Sequence, residues 1–125
     1  MTAPRDTLDY PDDILDAVEK IEIFTRGMSY EEFSDDARTV YAVTRALEVI
    51  GEAAKCIPRG IREDYPGHPW TEMAGMRDKL IHAYFGINRA TIWRTIREDI
   101  PPFRSAMQAL RDDLGMDGSS SGERR

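Results

Sequence analysis

The sequence predicts an all-α domain, an up-and-down bundle of four main helices with additional short helices. Apolar residues recur at spacings of three and four over long stretches, the period of a helix with one buried face. No stretch alternates apolar and polar residues with β-branched enrichment, and no Asn-Gly or Asp-Gly pair separates two such runs, so strands and hairpins are not expected. Glycine and proline punctuate the helical stretches at short intervals, and short connections make neighbouring helices antiparallel. At 125 residues the chain is long enough for one domain and too short for two.

Residues 1–10 read as an N-terminal extension and 11–115 as the folded domain. The first helix spans 11–26: Pro11 suits the first turn, Asp12 and Asp13 suit the positive end of the dipole, and Ile14, Val18, Ile21 and Phe24 form the inward stripe. Gly27 stops it. Ser29 and Glu32 have the spacing of a capping box, with Met28 and Phe33 as its hydrophobic staple, which starts a short helix. The second long helix runs from about Asp36 to Cys56 on Val40, Val43, Leu47, Ile50, Ala54 and Ile57. Gly51 costs about 1 kcal/mol relative to alanine within that helix, which points to close approach of another backbone.

Pro58-Arg59-Gly60 breaks the pattern, residues 61–64 can form one turn, and Pro66-Gly67-His68-Pro69 is a loop. A third helix is expected as one piece from Trp70 to Phe85, with Met73, Met76, Leu80 and Tyr84 on one stripe and Gly86 as its stop. Asn88 caps a fourth helix bearing Ile92, Ile96 and Trp93, which Pro101-Pro102 interrupts. Phe103, Met107, Leu110 and Leu114 supply a last stripe, Gly115 closes the fold, and 116–125 has little to bury and reads as a disordered tail.

Charged residues are 32% of the chain and hydrophobic ones 41%, a globular composition, and no apolar run approaches the roughly 20 residues of a membrane span. The acidic start lacks an apolar signal segment, so a cytoplasmic address is expected. Cys56 is the single cysteine, which excludes an internal disulfide and suits core packing. With two histidines besides, a structural zinc site within one chain is not expected, and no cofactor motif is present. The net charge of −6 argues against sequence-independent nucleic-acid binding over a broad basic surface, while allowing a small local site.

Chemistry-bearing groups concentrate in Gly75-Met76-Arg77-Asp78-Lys79-Leu80-Ile81-His82-Ala83-Tyr84-Phe85-Gly86. On a helix, Asp78 lies one turn before His82, where a carboxylate fixes the imidazole tautomer and raises its pKa. Arg77 borders the apolar stripe, about 140° round the helix from His82. RNA cleavage without a metal needs a base for the 2′-hydroxyl, an acid for the leaving oxygen and a cation at the non-bridging oxygens. One chain offers only part of that set, whereas two copies of this helix meeting across a two-fold axis offer two histidines and two arginines. Spacing alone leaves Arg77, Asp78 and His82 open between a site and a surface ion cluster, and makes Tyr84 a core residue. His68 either caps the helix at Trp70, faces solvent or touches substrate. Arg89, Arg94, Arg97, Arg104 and Arg111 form a loosely basic run, a solvated face or a phosphate-binding one. Trp70 and Trp93 fit bundle packing.

The R-x-x-x-x-H-x-Y run from Arg77 to Tyr84, together with Leu47-Glu48-Val49-Ile50-Gly51-Glu52-Ala53-Ala54-Lys55, Tyr65-Pro66 and Pro69-Trp70, resembles the HepT-like branch of the HEPN superfamily. The resemblance covers about residues 11–112. It implies a homodimeric HEPN-like bundle and a metal-independent endoribonuclease, the toxin of a type VII HEPN/MNT toxin–antitoxin pair. It assigns Arg77 and His82 as catalytic in a cleft at the dimer interface, with Asp78 in support. It further implies that a nucleotidyltransferase antitoxin of the MNT type neutralises the toxin by AMPylation of the motif tyrosine, Tyr84. The alternative is a non-catalytic HEPN partner domain that binds and regulates the nucleotidyltransferase. A nucleotide-binding module is a third reading, which the lack of a Gly-rich phosphate loop disfavours.

Overall fold

The computed structural model describes the backbone of residues 8–85 and 88–122, with side chains over 8–80 and 88–115. Every regular element among them is helical: α1 Asp9–Thr25, α2 Tyr30–Asp35, α3 Ala37–Cys56, α4 Arg59–Asp64, α5 Trp70–Ala74, α6 Met76–Phe85, α7 Arg89–Glu98 and α8 Ile100–Gly122. None of the described helices is long and apolar enough to cross a membrane.

Local signals place most helix ends. Helix α1 begins two residues before Pro11, which sits buried in the first turn, and Gly27 follows the helix at φ +75°, a conformation that costs glycine least. The capping box forms as expected. The Glu32 amide donates to Ser29 Oγ at 3.1 Å, and the Ser29 amide to Glu32 Oε1 at 2.9 Å. Phe33 is fully buried behind it, with Met28 packed on the same core. Asp36 caps α3, its carboxylate accepting from the Thr39 amide and hydroxyl; the Thr39 hydroxyl chiefly holds the Asp36 pKa below its ordinary value. Asn88 caps α7 through the Thr91 amide at 3.1 Å.

Helix α3 is the central element, with α1 on one side and α5 and α6 on another; α8 closes the bundle against α1 and α7. Long-range ion pairs show the antiparallel course. Arg104 and Arg111 of α8 reach Glu22 and Asp12 of α1 in reversed order, and Lys79 of α6 reaches Asp99 at the end of α7. All six apolar residues expected on the second long helix are buried, as are Met73, Met76 and Leu80. Ile100, Phe103, Met107 and Leu110 complete the core from α8.

Several expectations are corrected. The third helix is two, because Gly75 (φ −79°, ψ 0°) flattens the chain while its amide holds the Thr71 carbonyl at 2.9 Å. A Cβ at Gly75 would come within 3.0 Å of that oxygen, so glycine admits the tight turn. Phe24 is 41% exposed. The buried arc Ile14, Ala17, Val18 and Ile21 leaves position 24 on its flank, about 70° from the centre. Cys56 is exposed rather than packed in the core, since Ala53, Ala54 and Ile57 take the inward directions of that turn. The interruption expected at Pro101-Pro102 falls just before them, at Asp99, and both prolines sit in the first turn of α8, which needs no amide donors. Helix α8 runs on to Gly122 past Gly115, which does not adopt the left-handed conformation of a glycine stop. Residues 1–7, Gly86 and 123–125 lie outside the described residues.

Candidate active site

The start of the motif helix α6 is seated on a glycine of α3. An ideal Cβ at Gly51 of α3 would stand 3.3 Å from the backbone nitrogen of Arg77, 3.4 Å from Met76 Cβ and 3.5 Å from the Met73 carbonyl. The close approach inferred at Gly51 is therefore the seat of the Arg77 backbone itself. Met73, Met76 and Leu80 anchor the same segment in the core, so the α5–α6 junction is fixed by packing on one face.

On the opposite face the charged residues are free of the core. Arg77, Asp78 and Lys79 are all exposed. Lys79 pairs with Asp99 at 3.0 Å, tying α6 to the end of α7. Among the described residues, neither Arg77 nor Asp78 has an ion pair or side-chain hydrogen bond. An unpaired guanidinium on a rigid helix can meet an anionic oxygen without first releasing a carboxylate. His82 and Tyr84 fall on the α6 backbone, but their side chains lie outside the described residues. No group of three or more potential metal-ligating side chains forms among the described residues.

His68 does not cap α5 with its side chain; Pro69 occupies that cap position. Its ring stacks on Tyr65 at 5.3 Å and leans on Trp70 at 5.7 Å, and its Nε2 is buried without a hydrogen-bond partner. Burial lowers the His68 pKa from the ordinary value, against the smaller opposing influence of Asp113. Tyr65 donates to Asp113 at 3.1 Å and accepts the Trp70 indole N–H on its carbonyl at 2.8 Å. This cluster joins the loop before α5 to α8.

The basic run divides. Arg104 and Arg111 are tied to Glu22 and Asp12, and Arg89 donates to the Ser34 carbonyl. Trp93 packs against Phe33 at 5.2 Å, as bundle packing requires, while the Arg97 guanidinium lies 5.7 Å from its ring centroid. The spacing of the arginines gave no means of telling tied from untied ones, since their partners lie up to 99 residues away.

A family model described as Ribonuclease HepT-like matches residues 14–110. The chain is 50% identical over 107 residues to "Probable ribonuclease HepT" of Thermococcus cleftensis, covering 86% of this chain and 97% of that one. It is 47% identical over 116 residues to "Putative RNase MJ1216" of Methanocaldococcus jannaschii, covering 92% and 90%. A further relative, "Putative RNase TTE0752" of Caldanaerobacter subterraneus, is 42% identical over 110 residues, covering 88% and 96%. No solved structure matches. The family match over nearly all of the bundle, with identity at this level across both chains, makes this protein a member of the HepT-like ribonuclease family.

Proposed function

We propose that the protein is a metal-independent endoribonuclease that works as a homodimer, with Arg77 and His82 of both chains lining one cleft. The observation that carries this reading is the exposed, unpaired Arg77 seated through its own backbone on Gly51, within a family named for ribonuclease activity. In the proposed reaction His82 of one chain takes the proton of a ribose 2′-hydroxyl. The 2′-oxygen bonds to the adjacent phosphorus, the bond from phosphorus to the 5′-oxygen breaks, and a proton from the second imidazole goes to that leaving oxygen. Arg77 stabilises the charge that builds on the non-bridging oxygens, and Asp78 positions His82.

The biological reading is a toxin of a type VII toxin–antitoxin pair. A nucleotidyltransferase antitoxin would transfer AMP from ATP to Tyr84, releasing pyrophosphate. The added phosphate beside the cleft would repel RNA.

The test compares purified wild type, Arg77→Ala and His82→Ala on a structured RNA. Wild type should cleave and both variants should not, with circular dichroism unchanged in all three. Equal cleavage by the three proteins removes Arg77 and His82 from the reaction. Mass spectrometry after incubation with the nucleotidyltransferase and ATP should find AMP on Tyr84 and none on Tyr84→Phe.

A further inference from the structure

Within an acidic chain, α7 presents an outward strip whose positive charge is not spent on carboxylates. Trp93, half-buried at the edge of the core, is followed round α7 by exposed Arg97 and Arg94 at about 40° and 100°, turning away from buried Ile92 and Ile96. Tyr30 of α2 flanks Trp93 at 6.3 Å, and Phe33 backs it at 5.2 Å. With Phe33 behind it, Trp93 gives Arg97 a fixed aromatic surface, and the guanidinium lies 5.7 Å from the ring centroid. Arg94 and Arg97 have no ion pair among the described residues, unlike Arg104 and Arg111, which are tied to α1. The acids nearest in sequence do not cancel them: Asp99 is taken by Lys79, and Glu98 pairs with neither arginine among the described residues.

The chemistry of this strip is that of single-stranded nucleic acid. A guanidinium supported on an indole offers a flat cationic surface for a nucleobase, and a second guanidinium one turn away meets a phosphate. The strip belongs to the helix that neighbours the motif helix. The Lys79–Asp99 pair ties α6 to the end of α7, and by helical register Asp99 stands about 140–160° round α7 from Arg94 and Arg97, so the strip faces away from that tie.

We propose that Arg97, supported by Trp93, and Arg94 form an accessory site for single-stranded RNA remote from the cleaved bond, with Arg97 stacking on a base and Arg94 neutralising a phosphate. This rests on the ribonuclease reading and adds to it a place where substrate length is sensed.

Binding is measured by fluorescence anisotropy with a single-stranded 2′-O-methyl oligonucleotide, which lacks the attacking hydroxyl. Cleavage is measured on a long RNA and on a dinucleotide too short to span both sites. The double variant Arg94→Gln, Arg97→Gln should weaken oligonucleotide binding ~10-fold and flatten the dependence of log affinity on log salt by about 1 to 2. KM for long RNA should rise with kcat unchanged, while dinucleotide cleavage stays at the wild-type rate. Arg97→Lys should keep the salt slope and lose affinity, since the charge remains and the plane does not. Arg104→Gln, whose partner is Glu22, should bind as wild type. Wild-type affinity and salt slope in the double variant overturn the site even where wild type cleaves RNA. A change in sedimenting mass with unchanged RNA affinity also overturns it, assigning the strip to a protein interface. Failure of wild type to cleave either substrate overturns the ribonuclease reading separately.

Discussion

Gly51 and Arg77 meet backbone to backbone: a Cβ at position 51 would stand 3.3 Å from the Arg77 nitrogen. The first residue of the motif therefore takes its height above the bundle from the absence of a side chain on α3. Because Met76 and the Met73 carbonyl crowd the same point, the α5–α6 junction cannot retreat from an added atom without unseating buried methionines.

Gly51→Ala should change stability by less than about 1 kcal/mol, because the gain in helix propensity offsets the crowding. Gly51→Val should lower stability by about 1–3 kcal/mol through overpacking and should reduce RNA cleavage beyond the unfolded fraction. Urea unfolding checks both. A valine variant as stable as wild type would mean that the junction yields freely.

Arg77→Ala should leave unfolding within about 0.5 kcal/mol of wild type, because the side chain is exposed, while cleavage falls roughly 10²–10³-fold. Asp78→Asn should keep the fold and lower cleavage, since the proposed reading has Asp78 position His82. Cleavage at the wild-type rate would show that Asp78 does not act through His82.

Burial against Tyr65 and Trp70 sets the direction of the His68 pKa shift, which is downward. The folded protein then holds a proton at His68 less readily than the unfolded chain. As pH falls through the unfolded value near 6.5, the unfolded state gains protons first, so stability present above that value is lost towards the folded pKa. His68→Phe, which keeps a ring and does not titrate, should lose less stability than wild type between neutral and mildly acidic pH. Asp113→Asn should lose more, since Asp113 favours the charged imidazole. Chemical denaturation at two pH values reads both, and identical slopes in all three proteins would exclude His68 as the titrating group.

Ser29→Ala removes the acceptor for the Glu32 amide and half of the reciprocal cap on α2. The expected loss is about 0.5–2 kcal/mol. Hydrogen exchange should quicken first over α2 and around Phe33, which the cap places in the core; uniform exchange over the chain would contradict a local role.

The two exposed ion pairs between α1 and α8 should contribute little. Arg104→Ala, which frees Glu22, should cost under about 1 kcal/mol and shrink further in high salt. A larger loss in thermal or urea unfolding would make that pair a main tie of α8.

The all-α class, the capping box at Ser29, the stop at Gly27, the cap at Asn88 and the inward stripe of α3 were legible because each is decided within a few residues of chain. The family followed from the Arg77–Tyr84 run and the stretch around Gly51, which are linear patterns. Periodicity could not say that Phe24 and Cys56 face outward, that Gly75 divides the motif helix, or that the His68 ring stacks on Tyr65, because each depends on what the next helix presents. Nor could spacing tell which arginines are spent on carboxylates of α1 and which remain on α7. Local dihedral preferences and hydrophobic period act along the chain and specify the elements. Contacts such as Gly51 with Arg77 or Arg111 with Asp12 join distant residues, and only the packed bundle decides them.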